Sequence, residues 1–198
     1  MTDPIFVFNS NLAGDHSDGT ARVARENHGA IMGQAEGLQA SSYAIPTKGA
    51  DLRALPLEQI EAHVDQFIDF AHQHPELTFK VSAIACGLGG YRFREIAPMF
   101  THAPDNCLLP PEFLHELGRD RVETPWGMSD RVHQVAQGIT FYETPSHGGF
   151  KLSPERMEAM PEHLRECSFT GNEFFEEDCS WSAVVLAFPD CFSDDDRA

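Results

Sequence analysis

Along the first hundred residues the apolar positions change their period from segment to segment. A solid apolar run opens IFVFNSN and gives way to polar residues at Asn9 and Asn11, as a strand buried on both faces does where it ends. GTARVARENHGA then places Ala21, Val23, Ala24 and His28 near one helical face and is closed by Gly29. SSYAIPTK predicts a second strand that ends at Pro46 before a turn-like KGAD. In LEQIEAHVDQFIDFAHQHP, residues Ile60, Val64, Phe67, Ile68 and Ala71 recur at helical spacing until Pro75 stops the pattern. LTFKVSAIAC predicts a third strand running into CGLGG. YRFREIAPMF follows as a short helix with Phe93, Ile96, Ala97 and Phe100 on one side, and NCLLP offers one more short strand.

Parallel neighbours need crossover helices, so this β-α-β-α-β order predicts an α/β fold with a mostly parallel sheet. In such sheets ligands bind outside the carboxyl ends of the strands. That rule brings NSNLAGDHSDG, PTKG and CGLGGY to one rim.

From about Leu108 the pattern dissolves into LPPEFLHELGRDRVETPWGMSD, rich in Pro, Gly and charge. The expected organisation is a domain over residues 1–110, a connection over 111–137 and a small α+β domain over 138–198. Within the last, ITFYET reads as a strand and PSHGGF as a turn. Ser153 suits an N-cap, Pro154 the first helical position, and Pro161 must break or restart the helix. SWSAVVLAF fits either a buried strand or a short helix, and the SDDDRA tail is expected to be mobile.

With 198 residues, 41% of them apolar, and 15 Phe, there is material for a substantial core. The formal charge of -17, from 31 acidic against 14 basic residues, argues against direct nucleic-acid binding, which needs a basic footprint. It suits solubility or a basic protein partner. No stretch approaches the roughly 18 consecutive apolar residues of a membrane span, and the start of the chain lacks a secretory pattern, so a cytoplasmic protein without membrane contact is expected. The five cysteines are odd in number and form no C-x-x-C pair, which predicts reduced thiols and no structural metal.

Two strand-glycine-helix junctions carry the candidate chemistry. In the first, Asn9 and Asn11 end a strand with amides that offer both donor and acceptor. The turn from Gly14 to Gly19 then feeds the start of a helix, where Gly19, Thr20 and Ala21 present N–H groups to an anion. The competing reading is an Asx turn with Asp18 as helix cap, and the carboxylates of Asp15 and Asp18 would repel a phosphate. In the second junction, Gly87, Gly89 and Gly90 around Leu88 permit close backbone approach, and Tyr91 could stack on a base or ribose. Neither junction has the spacing of a dinucleotide fingerprint or a Walker loop. His16 and Asp15 are the nearby candidates for a general base. Farther along, His147 with Glu176, Glu177, Asp178 and Cys179 reads either as a metal or acid–base cluster or as a turn histidine beside helix-capping acids.

VFNSNLAGDHSDGTA resembles the asparagine-bearing first loop of macrodomains, and IACGLGGYRFREIAPMF is similar to their glycine-rich second loop. From Ile5 to about Pro110 the chain also resembles an uncharacterised macro-like family of phage and plasmid proteins. TPSHGGFKLS and EEDCSW, between Thr144 and Phe192, resemble a domain of unknown function found in such proteins. The macro-like resemblance implies a three-layer α/β/α fold that binds, or processes, ADP-ribose or an NAD-derived nucleotide. The diphosphate would lie on the two glycine loops and the ribose at Asn11, with no cofactor. DHSDGTA stands where macrodomains carry consecutive glycines. The alternative function is an acidic interaction factor that inhibits a host defence or DNA-binding enzyme.

Overall fold

The computed structural model describes residues 3–87 and 90–192, and the chain folds as two compact units, Thr2–Leu117 and Gly118–Ala198. Leu88, Gly89 and the SDDDRA tail expected to be mobile lie outside the described residues.

The N-terminal unit is α/β with a mixed five-stranded sheet. Its strands are β1 (Ile5–Asn11), β2 (Gly37–Gln39), β3 (Ser42–Lys48), β4 (Phe79–Val81) and β5 (Cys107–Leu108), in the order β2-β3-β1-β4-β5. Only the β2–β3 pairing is antiparallel. Helix α1 (Gly19–Asn27) links β1 to β2, and α2 (Leu57–Gln73) links β3 to β4. Alternation along the strands decides which face each helix covers. Phe8 and Ala44, paired in register, pack with Ala21 and Ala24 of α1. Tyr43 and Phe79 instead meet Phe67 of α2, at ring-centroid distances of 5.0 and 5.4 Å. Adjacent residues of β3 thus meet different helices, so α1 and α2 cover opposite faces of the sheet.

The apolar face of α2 is as expected, with Ile60, Val64, Phe67, Ile68 and Ala71 all buried. On α1, Ala21 and Ala24 are buried, but Val23 is 38% exposed; His28 caps the helix and stacks on Phe6. Two strand ends differ from the sequence reading. β3 runs on through Pro46 to Lys48. It does so because β2 pairs only as far as Ala44, so the missing Pro46 N–H leaves no gap in that ladder. β4 stops at Val81 rather than Cys86, and residues 82–87 form a turn. YRFREIAPMF splits into α3 (Phe93–Ile96) and a 3-10 turn at Ala97–Phe100. Pro98 cannot donate the bond that an α-helix would need there.

Residues 111–137, read from composition as a connection, hold α4 (Pro111–Glu116), the two-stranded β6 (Glu123–Thr124) and β7 (Gly127–Met128), and β8 (Arg131–Ala136). Pro111 sits at the first helical position, where a missing N–H costs nothing.

In the second unit β8, β9 (Ile139–Glu143), β10 (Gly148–Leu152) and β11 (Phe174–Glu176) form an antiparallel sheet in the order β11-β10-β9-β8. Ser153 caps α5 (Pro154–Ala159), its hydroxyl accepting from Arg156 N–H at 3.3 Å. Pro161 separates that helix from α6 (Glu162–Arg165). SWSAVVLAF, left open by its composition, is the helix α7 (Trp181–Ala187). Ala183 and Val184 of α7 join Ile139, Phe150, Leu152 and Phe175 in this unit's core. Gly149 is required in β10 by close approach: a Cβ there would lie 2.5 Å from the Phe175 carbonyl oxygen and 2.6 Å from the Trp126 ring.

Candidate functional site

A cleft of about 370 Å³ opens in the N-terminal unit where β1 and β3 end and α1 begins. Of the residues expected at a ligand site, Asn9, Asn11, Gly19, Thr20 and Ala21 line it; Gly87, Gly90 and Tyr91 do not. Leu88 and Gly89 lie outside the described residues.

Asn9 ties the rim together. Its Oδ1 accepts from the Ala85 N–H at 2.5 Å, and its Nδ2 donates to Thr20 Oγ1 at 3.3 Å. One amide thereby joins the end of β1 to the start of α1 and to the 82–87 turn. Ala85, held at φ +57°, is an L-residue in the left-handed region, and the Asn9 bond supports that conformation. Asn11 acts within its own loop. Oδ1 accepts from Ala13 N–H at 3.0 Å and Asp15 N–H at 3.1 Å, while Nδ2 donates to the Asp15 carbonyl at 2.9 Å. This is the Asx-type clamp that the sequence left open against a ligand role.

Gly14 closes the same loop at φ +66°. A Cβ on it would lie 2.5 Å from the Gly33 carbonyl carbon, so the loop packs backbone to backbone. His16 is fully buried, edge-on to Phe8 at 5.1 Å, with Nε2 3.3 Å from Ser10 Oγ and Nδ1 without a partner. Burial holds its pKa below the usual histidine value, against a raising effect of Asp15. It is a packing residue beneath the loop, so of the two candidate bases only Asp15 faces the cleft, where its carboxylate accepts from Ser17 Oγ.

The electrostatics are mixed. Asp18 is the N-cap of α1 by position, yet its side chain makes no capping bond, so the first N–H groups of the helix stay available to a ligand. Lys48 lines the same cleft with no ion pair among the described residues. Against them stand the carboxylates of Asp15 and Asp18. Cys86, also in the lining, has its thiol pushed up to about 11, chiefly by burial and then by Glu112 and Glu95, so it is protonated at neutral pH.

Lys48 was the residue that sequence reasoning missed. The sequence pattern places PTKG on the rim, but only the continuation of β3 past Pro46 brings Lys48 itself into the lining of the cleft. Tyr91, expected as a stacking platform, donates its hydroxyl to the Leu55 carbonyl at 2.7 Å and pairs with Cys86 through the backbone.

In the second unit the acidic cluster is bonded to the backbone. Glu177 accepts from Gly148 N–H at 2.8 Å, and Glu176 accepts from Asp178 N–H and Cys179 Sγ, both at 3.1 Å. That carboxylate raises the Cys179 pKa, which disfavours a thiolate. Among the described residues no group of three His, Cys, Asp or Glu side chains is placed to hold a metal ion. His147 is exposed and closes the β9–β10 turn, its N–H donating to Thr144 Oγ1 at 3.1 Å.

Residues 119–198 match a family model described as a domain of unknown function, DUF7007. The match covers the C-terminal unit and conveys no activity, and no match names a macro-like family. No curated protein and no solved structure matches the chain. No described helix is long and apolar enough to cross a membrane.

Proposed function

We propose that the N-terminal unit is a macro-like, three-layer nucleotide-binding module that takes ADP-ribose or an NAD-derived nucleotide in this cleft. The observation that carries the reading is the meeting of two anion-seeking features in one cavity: the start of α1, which has no side-chain cap, and Lys48, which has no ion pair among the described residues. Lys48 makes no ion pair among the described residues although Asp15 and Asp18 line the same cleft, which leaves its charge for an anion that arrives from outside. The position at the carboxyl ends of parallel strands, the helices on both sheet faces and the macro-like resemblance of both rim loops support the ligand class. Binding is favoured over turnover, because His16 is buried and the Cys86 thiol is protonated, which leaves Asp15 as the one candidate base of the two in the lining.

Calorimetric titration of the full chain with ADP-ribose tests the proposal. Wild type should bind, and Lys48→Met should weaken binding about tenfold, near the 1.4 kcal/mol expected of one charge-assisted contact at a partly exposed site. No heat from wild type at ligand concentrations well above micromolar would end the proposal.

A further inference from the structure

The cleft also has apolar residues in its lining. Leu52 lines it while remaining 58% exposed, and it shares the lining with Ala21, Ala83 and the neutral Cys86. Its backbone is at φ +65°, in the left-handed region that Gly or Asn occupies readily and a leucine only at a conformational cost. The turn that imposes this is tightly built. Gly49 N–H donates to the Arg53 carbonyl at 2.8 Å, Leu52 N–H to the Gly49 carbonyl at 3.0 Å and Arg53 N–H to Asp51 Oδ1 at 3.1 Å. A bridge between Lys48 and Ala54 closes the base of the turn. At this position neither folding preference nor burial favours leucine. Strain and exposure at one cleft residue have a common explanation if the side chain is there for something that enters the cleft.

We infer that Leu52 is the residue that packs against the nucleoside part of the ligand, while Lys48, four positions earlier at the base of the same turn, takes its phosphate. The inference rests on the nucleotide reading above and adds a division of labour to it: one short turn reads both the charged and the apolar ends. The ligand class narrows accordingly to a phosphate ester that carries a flat or apolar group, so a bare phosphate or a sugar phosphate should gain nothing from Leu52. A leucine lip discriminates by contact area, which gives modest factors and no absolute exclusion.

The conformation makes the test clean, because Asn tolerates φ near +65° and Leu52→Asn should fold at least as stably as wild type. Titrations would use the full chain with ADP-ribose, with inorganic pyrophosphate as a competitor that lacks the nucleoside. Leu52→Asn should lose about tenfold in ADP-ribose affinity with pyrophosphate competition unchanged, and Leu52→Met, which keeps the apolar contact, should stay within about threefold of wild type. If Leu52→Asn binds ADP-ribose as wild type does, the assignment of Leu52 fails while the cleft reading stands. If ADP-ribose and pyrophosphate weaken together, the turn only positions Lys48 and the inference is equally overturned. If wild type itself binds no ADP-ribose, the cleft reading fails and takes the inference with it.

Discussion

Replacing Asn11 with alanine removes three hydrogen bonds from one loop. The amide oxygen accepts from Ala13 and Asp15 N–H, and the amide nitrogen donates to the Asp15 carbonyl, all between 2.9 and 3.1 Å. Asn11 is only 7% exposed, so water has little access to the groups left behind. At about 1 kcal/mol for each intramolecular bond, the loss comes to about 3 kcal/mol, and orphaned N–H groups push it upward. For a domain of roughly 100 residues that corresponds to a fall in Tm of about 12 °C. Both tryptophans, Trp126 and Trp181, lie in the C-terminal unit, so fluorescence is the wrong probe. The loss should be followed by circular dichroism in denaturant and by amide exchange over residues 11–16. Asn11→Asp keeps both acceptor bonds, but it sets a carboxylate oxygen against the Asp15 carbonyl and should lose an intermediate amount. A stability of Asn11→Ala within 0.5 kcal/mol of wild type, a threshold below the value of a single bond, would refute the clamp and return the amide to a ligand.

Gly149→Ala should destabilise the C-terminal unit by about 2 kcal/mol or more, because the added methyl meets backbone at Phe175 and the ring of Trp126. Tryptophan fluorescence in a denaturant titration reads this directly, and an unchanged midpoint would contradict the packing described. His16 should make stability depend on pH. Its folded pKa lies below the unfolded value of 6.5, so the unfolded chain binds the proton more readily. Its contribution is therefore complete above pH 6.5 and is lost as pH falls through the lowered folded value. Melting curves at pH 8 and pH 5 should show a larger drop for wild type than for His16→Gln, and parallel profiles would rule the buried histidine out as the cause.

The elements legible in the sequence are those whose signal is local. The 17 residues of α2 repeat their apolar positions at the helical period, and the run from Ile5 to Phe8 has no polar interruption, so both can be read without knowing their neighbours. The ends of β1 and β3 were legible as neighbours because the order of strands and helices already determines where parallel strands end, but β4 stops at Val81 and Gly87, Gly90 and Tyr91 of the third expected segment do not line the cleft. The fate of each side chain on the rim was not legible. Whether Asn11 serves a sugar or its own loop depends on how the backbone from Ala13 to Asp15 curls. The stop of β4 at Val81 accompanies an amide from Asn9, 76 residues earlier, that holds the Ala85 N–H in the turn beyond it. Lys48 reaches the cleft only because β2 pairs no farther than Ala44 and lets β3 pass through Pro46. SWSAVVLAF is a helix because Ala183 and Val184 meet a core supplied by β9, β10 and β11. Periodicity is written in neighbouring residues, whereas register, left-handed turns and the partners of polar side chains are set by residues that only the folded chain brings together.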